Sequence, residues 1–253
     1  MSEALLSVHN LTKIFGGLVA VNDVSFEVAR GEVVGLLGDN GAGKSTLIKC
    51  ISGVHAAEDG EIVFDGQPVQ FASPMDARRV GIETIYQDLA LANNLDVGAN
   101  IFLGREVKTR HLGGLIQTLD DKQMHEQSRQ TLDSLQIRFP SMTAPIEKLS
   151  GGQRQAVAIA RAVYWDARLM IMDEPTNNLG VPEQHKVLEL IRMLKDRGVP
   201  VILITHVMPD ALAVTDRIIV MHRGRKVAEK ITAQTNAEEL VQYMVGARED
   251  AAA

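Results

Sequence analysis

The segment Gly38-Asp39-Asn40-Gly41-Ala42-Gly43-Lys44-Ser45 constrains this chain more than any other part of it. It has the form Gly-x-x-x-x-Gly-Lys-Ser and lies between an apolar run and a helical pattern. Its glycines let the backbone curl so that successive amides turn inward, where phosphate oxygens can meet them. A helix opening at Lys44 adds the positive end of its dipole. The motif therefore demands a strand–loop–helix unit, and the flanks supply one. Glu32 to Leu37 reads as a buried strand. From Lys44 a helix follows with Leu47, Ile48 and Ile51 on its inner face, ending near Gly53. Lys44 is expected to bridge the β- and γ-phosphates of a nucleoside triphosphate, the Ser45 hydroxyl to coordinate Mg2+, and Thr46 to complete the cradle.

The rest of the chain alternates in a way that suits one large α/β domain. Residues 5–30 read as short strands, with Val19, Val21, Val24, Phe26 and Val28 supplying β-branched and aromatic side chains. Gly60 to Phe71 alternates again, with turn signals at Asp59-Gly60 and Asp65-Gly66. Between Asp88 and Trp165 the sequence turns polar and helical. Asp120 and Asp121 open a helix carrying Met124, Leu132 and Leu135 on one face, and Gly113 and Gly114 mark a loop before it. Strand-like runs return at 169–172, 201–204 and 217–221, with a helical segment at 183–197 ending at Gly198. Strands alternating with helices predict a mostly parallel sheet.

Two further segments carry chemistry. Leu169 to Met172 is a buried strand that ends on Asp173-Glu174, two carboxylates followed by Pro175-Thr176. Asp173 suits a water-mediated contact with magnesium, and Glu174, facing differently, suits polarising an attacking water. In Leu149-Ser150-Gly151-Gly152-Gln153, Ser150 is the expected N-cap of a helix running through Arg161. Gly151 and Gly152 bare its first amides for a second anion site at a helix start.

With these motifs together, the chain closely resembles the ATP-binding cassette proteins, from Leu6 to about Val245. The resemblance implies one cassette over residues 1–253, with an N-terminal antiparallel β-subdomain and a helical subdomain at about 88–165. It also implies ATP and Mg2+ as ligands. Two copies would close face to face, the signature at 150–153 of each covering the ATP held by residues 38–46 of the other. Gln87 matches the family glutamine that contacts magnesium, His206 the switch histidine that bonds the γ-phosphate, and Phe15 the aromatic that stacks on adenine. Plain core packing is the competing reading of Phe15. One departure is visible. The family commonly continues Glu-Pro-Thr with Ser-Ala-Leu-Asp, whereas this chain has Asn177-Asn178-Leu179-Gly180 and so lacks the carboxylate at 180.

Asn100 to Glu106 and Asn177 to Glu183 resemble the ATPases of bacterial monosaccharide importers of the ribose, xylose and fructose type, the single-cassette fructose form in particular. That resemblance implies integral permease subunits as partners, a periplasmic or extracellular sugar-binding protein behind them, and a peripheral place on the cytoplasmic face of the inner membrane. A soluble ATPase of the same fold serving protein assembly or regulation is the alternative.

Composition agrees with this class. Net charge is −6 and the densest basic stretch, Arg223 to Lys226, is broken by Gly224, which argues against nucleic acid as a partner. No apolar run approaches the roughly 20 residues that span a bilayer. The N-terminus predicts no secretory signal, and a lone cysteine, Cys50, predicts a buried thiol in a reducing compartment.

Overall fold

The computed structural model describes residues 4–111, 116–139 and 141–250, so the glycine loop expected at 113 and 114 lies outside the described residues. Contacts divide the chain into two units. The first comprises Met1–Gln87, Arg168–Pro175 and Ile191–Ala253; the second comprises Asp88–Ala167 and Thr176–Leu190.

In the first unit, residues 5–30 form two long strands, not several short ones. β1 (Ala4–Phe15) and β2 (Leu18–Ala29) pair antiparallel across Gly16-Gly17, and bulges along the register absorb the twist of twelve-residue strands. β1 pairs on its other side with β4 (Asp59–Phe64), which turns at Asp65-Gly66 into β5 (Gln67–Val69). Both turn residues have positive φ, 54° and 72°, as a two-residue hairpin requires. The expected turn at Asp59-Gly60 is instead the start of β4. A Cβ on Gly60 would lie 2.6 Å from the carbonyl oxygens of His9 and Asn10, so this glycine marks a close crossing of two backbones.

The second sheet of this unit has the order β12-β11-β3-β10-β9-β6. β3 (Val33–Leu37), β6 (Ile82–Ile85), β9 (Leu169–Asp173), β10 (Val201–Ile204) and β11 (Arg217–His222) are parallel, and only the edge strand β12 (Arg225–Ile231) runs the other way. All five residues of β3 are buried because both of its faces are covered. Val34 and Leu36 join a core with α1 (Lys44–Ile51), Ala77 of α2 (Pro74–Arg79) and the first sheet, where Cys50 is buried as expected. Leu37 packs on the other side, with Ala211 of α7 (Met208–Val214) and Leu240 and Tyr243 of α8 (Ala237–Met244).

The second unit is helical, built from α3 (Val97–Ile101), α4 (Asp121–Ser134), α5 (Gly151–Tyr164) and the first part of α6 (Val181–Asp196). Asp120 caps α4 by accepting from Gln123 N at 3.0 Å, and Met124, Ser128 and Leu132 face inward at four-residue spacing. Asn100 is fully buried; its amide accepts from Ala92 N at 2.7 Å and donates to Asp96 O at 2.9 Å, pinning the loop before α3. The polar stretch also holds a small hairpin, β7 (Lys108–His111) with β8 (Ile116–Leu119), where the sequence had suggested helix and loop. Among the described residues no helix is long and apolar enough to cross a membrane.

Candidate active site

Four adjacent parallel strands of the first unit end on the expected site residues. β3 runs into the glycine loop, β10 into Thr205-His206, β9 into Asp173-Glu174 and β6 into Tyr86-Gln87. Ligands of open α/β sheets bind at such carboxyl ends. The sheet order thus gathers residues separated by up to 162 positions, Lys44, Gln87, Asp173, Glu174 and His206, at the carboxyl ends of neighbouring strands.

The loop 38–45 is locked to the rest of its unit. Ala42 O accepts from Gly224 N at 2.9 Å. Gly43 has φ +100°, and a Cβ there would sit 2.4 Å from Ala20 O and 3.2 Å from Gly224 Cα, both backbone. Only glycine can take this path without strain, and the helix it leads into has no side-chain cap and no acidic residue in its first turn. Asp39, Asn40, Gly41 and Ser45 are exposed on the loop, Thr46 is half-buried, and Gly38 and Ala42 are buried. Lys44 is only 6% exposed. Its Nζ donates to Gly38 O at 2.8 Å and to Asp39 O at 3.0 Å, which holds the ammonium over the loop. Burial lowers its pKa, and the negative charges of Glu174, Asp173 and Asp39 oppose that shift.

Asp173 shows the reverse balance. Burial and then the like charge of Glu174 raise its carboxyl above the usual range, against the pull of Lys44 and Lys49. A divalent cation would relieve this carboxylate. With Asp173, the exposed Ser45 hydroxyl and the exposed Gln87 amide offer oxygen donors from the same end of the sheet, a hard set of the kind that suits Mg2+ shared with phosphate oxygens. Glu174 sits at φ +50°, a left-handed conformation costing about 1–2 kcal/mol for a residue with a Cβ. Its N–H donates to Ile204 O at 2.9 Å, and its Oε1 meets His206 Nδ1 at 2.9 Å. The turn swings Glu174 off the line of β9, so the two acids face differently, as the sequence suggested. The His206 side chain is 48% exposed while that of Glu174 is 17% exposed, so the histidine bridges a sheltered carboxylate to the open edge.

Phe15, at the end of β1, is 42% exposed, which removes core packing as its role. Its ring meets His55 edge-on at 5.2 Å, and Lys13 Nζ lies 5.0 Å from its centroid. Glu58 holds this strand end, accepting from Lys13 Nζ at 2.7 Å and Ile14 N at 2.8 Å. The hydrogen bond from Lys13 is the chief reason its carboxyl is held below the usual range. Neither His55 nor Glu58 stood out in the sequence, because only the fold of β1 against the loop before β4 brings them to Phe15.

In the second unit the signature has the expected cap. Ser150 Oγ accepts from Gln153 N at 3.3 Å, and Gln153 Oε1 accepts from Ser150 N at 2.9 Å, a reciprocal capping box at the start of α5. Gly151 and Gly152 are half-buried, with Leu179 and Glu183 close against them. A Cβ on Gly151 would lie 2.8 Å from Leu179 Cδ2.

Comparison with known proteins gives one answer throughout. A family model described as ABC transporter matches residues 21–177. The xylose/arabinose import ATP-binding protein of Sulfolobus acidocaldarius is 52% identical over 240 residues, covering 95% of this chain and 93% of that protein. The fructose import ATP-binding protein of Rhizobium meliloti is 43% identical over 249 residues, 98% of this chain and 96% of that protein. Among solved structures, an ATP-binding cassette of an ABC transporter in its ADP conformation superposes with a TM-score of 0.81 at 26% identity, covering 96% of both chains.

Proposed function

The chain belongs to the ABC transporter family as an ATP-binding protein and ATPase, and from that membership we propose that it powers uptake of a monosaccharide through a membrane permease. The observation that carries the sugar reading is identity of 52% and 43% over nearly the whole chain with two ATP-binding proteins named for sugar import. Fructose, xylose and arabinose are the sugars to test first.

In this reading the amides of residues 38–46 and the Lys44 ammonium bind the triphosphate, and adenine stacks on Phe15. Ser45, Gln87 and Asp173 hold Mg2+, which when bound neutralises phosphate charge. Glu174 accepts a proton from the attacking water, and His206, in contact with both Glu174 and the open edge, keeps that carboxylate oriented toward the γ-phosphate. Ser150, Gly151, Gly152 and Gln153 of one copy close over the triphosphate of the other, so nucleotide joins two protomers and hydrolysis lets them part. The permease rides on that cycle from the cytoplasmic face of the inner membrane, with a sugar-binding protein delivering cargo on the far side.

Uptake of labelled sugars in cells lacking this chain tests the proposal. Loss of uptake for one or more of the three sugars, restored by the wild type and not by Lys44→Ala, is expected. Unchanged uptake of every pentose and hexose, with copurification on a soluble complex instead of a polytopic membrane protein, would refute it.

A further inference from the structure

We infer that Glu183 is a positioning residue that supplies the carboxylate missing at 180 and holds the start of α5 in place for the partner's triphosphate. The inference rests on the function proposed above. A Cβ on Gly152 would lie 2.8 Å from Glu183 Cγ and 3.0 Å from its Cβ. A Cβ on Gly180 would lie 2.8 Å from Glu183 Oε2. One side chain therefore fills the space of two absent ones. Its stem lies along the second glycine of the signature, and its carboxylate sits where a side chain at 180 would begin.

The glycine at 180 is not there for its backbone. Gly180 does not have positive φ, so an L residue could take its conformation; the first atom its Cβ would meet is the Glu183 carboxylate, the free end of a side chain that would have to turn aside. The acid has moved three residues along, from the loop to the first turn of α6. The loop itself is fastened around it. Gln184 N donates to Gly180 O at 2.9 Å, and Gln184 Nε2 donates to Leu179 O at 3.1 Å. Residues 179–183 thus cover both signature glycines, Leu179 over Gly151 and Glu183 over Gly152. A glutamate in the first turn of a helix also serves as an ordinary cap and dipole partner. Glutamine serves the cap equally well but carries no charge, and that difference separates the two roles.

The test uses the full chain as wild type, Glu183→Gln, Glu183→Ala and the double variant Glu183→Ala with Gly180→Asp. Steady-state hydrolysis gives kcat and KM, and a fluorescent ATP analogue gives the affinity of the isolated protomer. Both single variants are expected to lower kcat about tenfold with protomer affinity changed less than about twofold, and the double variant to recover most of the loss. Wild-type kcat in Glu183→Gln would reduce Glu183 to a cap and overturn the inference. So would a double variant no faster than Glu183→Ala. Hydrogen exchange at the amides of 150–153 reads the same contact without turnover: exchange must quicken in Glu183→Ala and slow again in the double variant. Unchanged exchange there overturns the inference, whereas a wild type that neither hydrolyses ATP nor dimerises counts against the proposed function alone.

Discussion

Gly43→Ala should weaken the fold and the nucleotide site together, by an amount that the geometry of the loop sets. At φ +100° an alanine carries a left-handed penalty of roughly 1–2 kcal/mol. Its methyl group would also stand 2.4 Å from Ala20 O and 3.2 Å from Gly224 Cα, backbone atoms that cannot rotate away. Forced overlap of that kind costs roughly 1–3 kcal/mol more, for a total of about 2–5 kcal/mol. Typical domains hold 5–15 kcal/mol in all, so the variant folds but sits much closer to its threshold. Gly41→Ala is the internal control. Gly41 has φ +80° with nothing within 4 Å of the added methyl, so its cost is the backbone penalty alone, about 1–2 kcal/mol. The entropy that alanine removes from the unfolded chain is common to both and cancels in the difference. Urea unfolding without nucleotide should place Gly43→Ala below Gly41→Ala by about 1–3 kcal/mol. ATP affinity should fall further in Gly43→Ala, because the displaced residue opens α1. Equal unfolding midpoints for the two variants would refute the argument that the loop is held by backbone contact with Ala20 and Gly224.

Asp173→Asn should raise the melting temperature of nucleotide-free protein at pH 7 while abolishing Mg2+-dependent turnover. The fold raises this carboxyl, so its contribution is favourable below the usual carboxylate range and is lost as pH rises through the folded value. At pH 7 the ionised group is therefore a cost that asparagine removes, and melts repeated near pH 4 should show the gain shrinking. Phe15→Ala should lower stability by no more than about 1–1.5 kcal/mol, well short of the roughly 3–5 kcal/mol of a buried phenylalanine, since the ring is 42% exposed and its contacts with His55 and Lys13 lie at the surface. Loss of stacking worth about 0.5–1.5 kcal/mol should raise the Kd for ATP roughly two- to thirteenfold by calorimetry; a large drop in stability with unchanged Kd would return Phe15 to a packing role.

The readable parts of the sequence were those whose cause is local. The glycine loop, the strand before it and the helix after it are written in consecutive residues, as are the Ser150 cap and the Asp65-Gly66 hairpin. β9, β10 and β11 were legible because strands covered on both faces become unbroken apolar runs. The hairpin β7–β8 was hidden because Lys108-Thr109-Arg110-His111 carries no apolar alternation. Gly60 looked like a turn because Asp-Gly usually is one; the crossing backbone of β1 that demands it lies 50 residues upstream, at Asn10. The same limit hid Glu58 behind Phe15. The grip of Glu183 on Gly152, 31 positions apart, is likewise a fact of packing that neither residue announces.

The central claim is that each nucleotide pocket is completed by a second copy of the chain, and mixing two disabled proteins tests it most directly. In a Glu174→Gln background, which stops turnover, one protein also carries Lys44→Ala and the other Gly152→Asp. Neither alone should retain labelled ATP in a dimer on size-exclusion chromatography. Mixed, they should, because the intact loop of the second meets the intact signature of the first. Retention by either protein alone, or none after mixing while the unmutated background traps ATP, would contradict the account.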